Sequence, residues 1–381
     1  MSGVWRTQVR FLWRDPDVHR QFRTGVSLHS HTMHSRENLG FIPKYAAAVP
    51  LLAWEIRRQS QKYEAKTGRV MDYTRGHWTP PLPSREAFNL EKRHVEEKLG
   101  LAALVSLSDH DSIEAGRELR TMESTRDAPL SIEWTVPMGQ TYFHIGAHNL
   151  PAGDAHSIVA ELARYTANPS ESLRKEALSR LSGCPETLVV LNHPLWDQGG
   201  IGAEAHRALL RDLLGECDGG IHALELNGLR PWNENEALMD LARAREIPLV
   251  SGGDRHGCEP SAMVNLTRAA SFAEFVCEVR EGYSEIAVLD HYRKPRGLRI
   301  LESVCDIMGY YPELAGRSHW SDRVYCRRFS GAIAPLSGTW LGEPPRVVRC
   351  FESLAQLARK RVVRNMLRVC FSDGAGPVMP L

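Results

Sequence analysis

One recurring unit constrains this chain more than any other feature. A short apolar run ends in a cluster of His, Asp, Glu or Asn, and a helical stretch often follows. The run at 25–28 leads into His29-Ser30-His31-Thr32, and the run at 103–107 into Ser108-Asp109-His110-Asp111. The run at 130–132 leads into Glu133, and that at 187–191 into Asn192-His193-Pro194. The last two, at 222–224 and 247–250, lead into Glu225-Leu226-Asn227 and Gly253-Asp254-Arg255-His256. Runs rich in Val, Leu and Ile suit strands buried on both faces. Helical patterns cover 51–66, 85–99, 155–164, 173–181, 203–214, 235–245 and 272–280. Strand–helix alternation predicts an α/β chain with a mostly parallel sheet or barrel. In such barrels functional side chains gather at the C-terminal strand ends.

The clusters carry the chemistry. His29 and His31 stand at i and i+2, so on a strand both rings reach one face. Asp254 and His256 repeat that spacing. His110, Glu133 and His193 each terminate a predicted strand, so all converge on one rim. Neutral imidazoles mixed with carboxylates form a ligand set for Zn, Mn or Fe. So many such groups would repel or stay unsatisfied without cations among them.

The ordered series His29-Ser30-His31-Thr32, Ser108-Asp109-His110-Asp111-Ser112, Glu133, Asn192-His193-Pro194 and Gly253-Asp254-Arg255-His256 resembles the PHP (polymerase and histidinol phosphatase) superfamily. The resemblance covers about residues 24–260. It implies a distorted seven-stranded TIM-like (β/α) barrel, two or three divalent metal ions (Mn, Fe or Zn), and phosphoester hydrolysis. Under it, His29, His31 and Asp254 would bind a first metal, and Glu133 would bridge metals. His110 and His256 would serve a second, and His193 a third. The family's further ligand after the first motif falls on Glu37, with His34 nearer but off the spacing. The histidine after the bridging Glu is His144 or His148, and the setting Tyr142-Phe143-His144-Ile145-Gly146 favours His144.

The chemistry expected of such a ligand set is attack on phosphorus by a metal-activated hydroxide. Developing charge on the phosphoryl oxygens calls for cations. Arg255, Arg36 and Lys44 are the candidates, and strand alternation makes a structural ion pair at least as good a reading for Arg255. Asp109 reads as an orienter of a ligand histidine, and Asp111 with Ser112 as a helix cap. Glu225 and Asn227 read as strand-end hydrogen-bonding groups. Trp134 and Trp196 read as packing residues in preference to stacking platforms for a base or sugar.

The organisation expected is a PHP-like unit over 1–290, with 46–99 inserted, and a basic, mainly helical appendage over 291–381. The insertion contains Thr79-Pro80-Pro81-Leu82-Pro83, which reads as a loop or lid. The chain carries 47 Lys+Arg against 46 Asp+Glu, which argues against a nucleic-acid footprint over the whole surface. The charge is uneven, however: residues 291–381 hold 15 Lys+Arg against 7 Asp+Glu. A helix over 352–369 would display Arg359, Lys360, Arg361, Arg364 and Arg368. Its apolar side (Leu354, Leu357, Val362, Leu367) is expected to pack on the acidic barrel, leaving the Arg in water. The alternative is binding of nucleic acid or an acidic lipid surface.

The 8 cysteines form no CxxC pair and read as free thiols of a reducing compartment. With no signal-like segment and no apolar run long enough to span a bilayer, the chain reads as cytoplasmic. The function expected is hydrolysis of a small phosphomonoester or nucleotide. The alternatives are a nuclease using the basic C-terminal region, a metal-bound scaffold without activity, and a hydrolase of a non-phosphate ester. Oligomeric state is not legible.

Overall fold

The computed structural model describes residues 6–47, 50–216, 219–327, 331–339 and 346–360, with Val363 and Met366. The strands are β1 (Arg6–Phe11), β2 (Thr24–Ser30), β3 (Glu37–Asn38), β4 (Gly76–Trp78), β5 (Ala102–Leu107), β6 (Ile132–Met138), β7 (Thr141–His148), β8 (Leu188–Asn192), β9 (Ala223–Asn227), β10 (Leu249–Gly252), β11 (Met263–Thr267), β12 (Tyr283–Val288), β13 (Val324–Arg327) and β14 (Ile333–Pro335). The helices are α1 (Ile42–Ala47), α2 (Pro50–Thr67), α3 (Ser84–Leu99), α4 (Glu114–Arg120), α5 (Ala155–Ala167), α6 (Glu171–Ser182), α7 (Ala203–Glu216), α8 (Trp232–Arg245), α9 (Phe272–Arg280), α10 (Arg296–Ile307) and α11 (Arg346–Arg359).

The fold is mixed α/β. Two five-stranded sheets run β1-β12-β11-β2-β5 and β10-β9-β8-β7-β6. Their ends meet through isolated bridges, His110 with Glu133 and Ser30 with Arg255. Strands β2, β5, β6, β7, β8, β9 and β10 thus follow one another around the molecule, but full ladders are missing at two seams. The hydrogen bonding therefore does not close the barrel that the alternation predicts.

The sheets are also less parallel than expected. Strand β7 runs antiparallel to both β6 and β8, and β11 runs antiparallel to both β2 and β12. A two-residue turn with Gly139 at φ +59° joins β6 to β7, a hairpin chemistry that needs no crossover helix. Glu133 accordingly does not end a strand. It is the second residue of β6, which continues to Met138.

The largest apolar cluster joins α5, α6, α7 and α8 to the inner strands, with Trp134, Ile145, Leu162 and Leu224 fully buried. Helix α3, expected within an insertion, is part of the core. Val95 and Leu99 pack with Val264 and Leu266. A Cβ on Gly25 of β2 would lie 2.6 Å from Val95 Cγ1, so this close helix–strand approach requires glycine.

A third, small sheet runs β14-β13-β4-β3. It pairs β4 from the insertion with β13 from beyond residue 290. Thr79, Pro80 and Pro81 are buried, and Thr79 N–H donates to Arg323 O. The expected lid is thus a packed strip. Helix α11 also differs from expectation. Leu354 and Leu357 are 55% and 46% exposed while Ala355 is buried, so the side expected to pack faces solvent. Arg359 instead approaches Asp306 of α10 (Nε–Oδ1 3.6 Å). Val362, Leu367, Arg361, Arg364 and Arg368 lie outside the described residues. No helix among the described residues is long and apolar enough to cross a membrane.

Candidate metal centre

Glu133 stands at the middle of the converging side chains. Five imidazole nitrogens approach its carboxylate: His29 Nε2 at 2.9 Å, His31 Nε2 at 3.2 Å, His110 Nδ1 at 3.3 Å, and His144 Nδ1 and His193 Nε2 at 3.4 Å. Asp254 Oδ1 lies 3.4 Å from His31 Nε2 and from His256 Nδ1, and 3.6 Å from His29 Nε2. Glu37 Oε2 lies 3.5 Å from His256 Nε2 and accepts a hydrogen bond from Trp78 Nε1 at 2.9 Å. Small strands β3 and β4 carry Glu37 and Trp78 to this place.

The backbone bends to deliver these groups. His29, His193 and Asp254 have φ of +60°, +30° and +46°. Such left-handed conformations cost non-glycine residues about 1–3 kcal/mol each and concentrate at functional sites. The β2–β5 ladder shifts register between Ser27 and Ser30, which is where His29 turns inward.

The donor set fits divalent cations. Nε2 of His29, His31 and His256, Nδ1 of His110 and His144, and Oε2 of Glu133 are buried without a well-formed hydrogen bond. Unsatisfied buried polar atoms are rare and costly, and here they face one another. Four overlapping triads have ligand atoms within 4.8 Å: His31/His110/His256, His29/His31/Glu133, His29/His193/Asp254 and His110/Glu133/His144. Each could hold a metal ion.

Electrostatics follow the same division. Burial opposes charge on Asp254, but the neighbouring His31 ring and the charges of His29 and His256 outweigh it, so its carboxyl sits below the ordinary range. Glu133 is held low against burial by His29, His110 and His144. Burial, then neighbouring histidine charge, pushes His256 down to about 3, the neutral form a metal ligand needs. His31 is driven up to about 9, because the Asp254 and Glu133 carboxylates beside it overcome burial. Burial, then Asp254, drives Glu37 up to about 8. A proton on these groups occupies the place of positive charge that a cation would take.

Other side chains hold the centre from outside. Glu225 Oε1 lies 2.5 Å from His29 Nδ1, and its Oε2 accepts from His193 N at 3.0 Å. Asn192 Nδ2 donates to Glu133 Oε1 at 2.9 Å, and Ser35 Oγ lies 3.2 Å from His31 Nδ1. Asp109 takes hydrogen bonds from Thr32 N and Oγ1, so it anchors the first motif's backbone, not a histidine ring. Asp111 accepts from Thr135 N and Oγ1 and caps no helix, while Ser112 Oγ accepts from Glu114 N.

The candidate cations are dispersed. Arg255 pairs with buried Glu91 (Nε–Oε1 2.9 Å) and donates to Gly257 O and His31 O, so its guanidinium points away from the ligand atoms. Lys44 donates to Asp197 O and Gln198 O. Arg36 is exposed, with its backbone N–H on His110 O. His34 pairs with Glu118 at 2.9 Å, outside the cluster. His148 is bound to Ser106 Oγ at 2.7 Å and belongs to none of the triads. Trp134 is fully buried, with Nε1 donating to Leu162 O and Thr166 Oγ1. Trp196 lies beneath the Arg230 guanidinium, 4.6 Å from its ring centre. Glu91, Ser35 and the small-sheet contact through Trp78 had no distinctive signal in the sequence. Glu91 and Trp78 reach the site from segments remote in the chain, while Ser35 stands four residues after His31.

No protein-family model matches this chain, and neither does any curated protein. Among solved structures it is similar to an amidohydrolase from Chromobacterium violaceum with bound sulfate and no metal. That pair is 15% identical with a TM-score of 0.33, covering 46% of this chain and 83% of the other. It is also similar to a candidate metal-dependent phosphoesterase from Bifidobacterium adolescentis. That pair is 15% identical with a TM-score of 0.32, covering 54% of this chain and 92% of the other. The functional reading rests on the site itself.

Proposed function

We propose that this protein is a metal-dependent hydrolase of the PHP type acting on phosphoester bonds, with a small phosphomonoester or nucleotide as substrate. The observation that carries this reading is the convergence of buried ligand-type atoms without well-formed hydrogen bonds around Glu133 and Asp254. The motif order that resembles the PHP superfamily supports the choice of phosphoester.

His29, His31 and Asp254 would hold one ion, His110 and His256 a second, and His193 with His144 a third. Glu133 would be shared and Glu37 would complete the set beside His256. Mn, Fe and Zn all suit mixed imidazole and carboxylate donors. Bound divalent ions would supply acidified water and a positive field over the ester oxygens. The chain's own residues do the positioning. Glu225 fixes the His29 ring, Asn192 fixes Glu133, and Asp109 fixes the backbone at Thr32. Arg36, exposed next to the first motif, would be the cation that meets a phosphate arriving from solvent. Residues 1–290 would form the catalytic unit, with 291–381 an appendage whose strands β13 and β14 complete the small sheet.

The test is metal content per chain by elemental analysis, for wild type and Glu133→Ala, alongside hydrolysis of an aryl phosphate monoester and diester. Two or three ions per wild-type chain, depleted in the variant together with monoester hydrolysis, are expected. A metal-free wild type that stays inactive after Mn or Zn is supplied would overturn the reading.

A further inference from the structure

Two of the segments that deliver ligand-type residues, His29-Ser30-His31 and Asp254-Arg255-His256, lie side by side but 223 positions apart in the chain at their nearest ends. Each is irregular, with His29 and Asp254 in left-handed conformation. A single carboxylate from a third element reaches both. Glu91 lies in the middle of α3 and is fully buried. It accepts hydrogen bonds from Ser27 Oγ at 2.9 Å and Ser30 Oγ at 3.2 Å, the two serines that bracket the irregular part of β2. It also accepts from Arg255 Nε at 2.9 Å and from Ser261 N at 3.2 Å.

In a regular strand Ser27 and Ser30 would point to opposite faces. Both reach Glu91 because the register shifts between them, and that shift is what turns His29 toward Glu133. Arg255 links the two segments in turn. Its guanidinium donates to His31 O, and its backbone O accepts from His31 N. Two carboxyl-bound serines and one carboxyl-bound arginine therefore hold both irregular segments against α3. Burying a carboxylate is costly unless it is paired and hydrogen-bonded. Glu91 meets both conditions only while the two segments keep this conformation.

We propose that Glu91, acting through Arg255, Ser27 and Ser30, is a positioning residue that sets the metal affinity of the centre. This rests on the metal reading above. Glu91 touches no ligand ring, and its effect is to keep His29, His31, Asp254 and His256 in place before any ion arrives. Groups that orient metal ligands change affinity by about 10–100-fold when removed.

The experiment is a Co(II) titration of wild type, Glu91→Gln and Ser30→Ala, reading stoichiometry, Kd and the visible d–d absorption, with circular dichroism as the check on folding. Glu91→Gln keeps the size of the side chain and removes its charge. The expected result is a folded variant with Kd raised about 10–100-fold and an altered Co(II) spectrum. Ser30→Ala, a milder change, should move Kd and spectrum the same way by a smaller amount, and it decides the matter if Glu91→Gln does not fold. A folded Glu91→Gln with wild-type Kd and spectrum would overturn the proposal, as would an unfolded Glu91→Gln beside a Ser30→Ala indistinguishable from wild type. If wild type itself binds no Co(II), the metal reading fails first, and the positioning role falls with it.

Discussion

Glu225 Oε1 lies 2.5 Å from His29 Nδ1, while its other oxygen accepts the backbone N–H of His193 and the side-chain amide of Asn227. One buried carboxylate in the middle of β9 thereby fixes a ring from β2 and a turn after β8. It also settles which nitrogen of His29 faces the centre, namely Nε2. Glu225→Ala is expected to lower metal affinity by about 10–100-fold, with the folded state retained. Isothermal titration with Mn(II) checks this, and an unchanged Kd would mean that the His29 ring is held by packing alone.

Under the proposed function, metal removal should lower stability, because ions would bind the assembled centre and not the unfolded chain. At about 100 times Kd, one bound ion contributes about 2.7 kcal/mol. Melting in the presence of a chelator should therefore occur at lower temperature than in excess Mn(II), and Glu133→Gln should lose that difference. Calorimetry on the four combinations measures it. Equal shifts in wild type and variant would place the ion elsewhere.

A pH effect is expected away from the centre. Burial, and then the charge of Arg280, pushes His222 down to about 4, and its Nδ1 accepts the Val189 N–H at 3.0 Å. The unfolded chain, with an ordinary value near 6.5, takes up its proton first. The contribution is therefore present above about pH 6.5 and is lost as pH falls toward about 4, on the order of 1–2 kcal/mol. His222→Asn keeps an acceptor and cannot titrate. Urea midpoints between pH 7 and 4 should fall less steeply in the variant, and parallel curves would rule out this assignment.

The two tryptophans beside the motifs should separate by stability. Trp134 is fully buried with its N–H satisfied and its ring edge-on to Tyr165. Trp134→Ala should cost about 3–5 kcal/mol. Trp196 is half-buried under Arg230, and Trp196→Ala should cost about 1 kcal/mol. Urea unfolding of both variants tests this, and similar losses would contradict the difference in burial.

Much of the helical framework was legible because amphipathic patterns are local. The patterns at 203–214 and 272–280 emerge as α7 and α9, with apolar positions such as Leu210, Leu213, Phe275 and Val276 turned inward. Strand direction was not legible. β7 has the same apolar character as its neighbours, yet it runs against them because of a turn at Gly139. The small sheet was also hidden, since its strands are two to four residues long and its partners come from residues 37 to 335.

By itself the sequence determined the inventory of the centre: which histidines and carboxylates follow apolar runs, and which of them stand two residues apart. Those are short-range properties of the chain. The tertiary structure decided which of them meet. His144 and His148 lie on the same face of β7, each two residues from Gly146, the register partner of Glu133, and only their tertiary contacts separate them: His144 Nδ1 lies 3.4 Å from Glu133 Oε1, whereas His148 Nδ1 is tied to Ser106 Oγ at 2.7 Å. Likewise nothing near Arg255 in sequence names Glu91 as its partner. Their contact depends on how α3 packs across two irregular strand ends, and strand register and helix packing arise from long-range burial that no local pattern encodes.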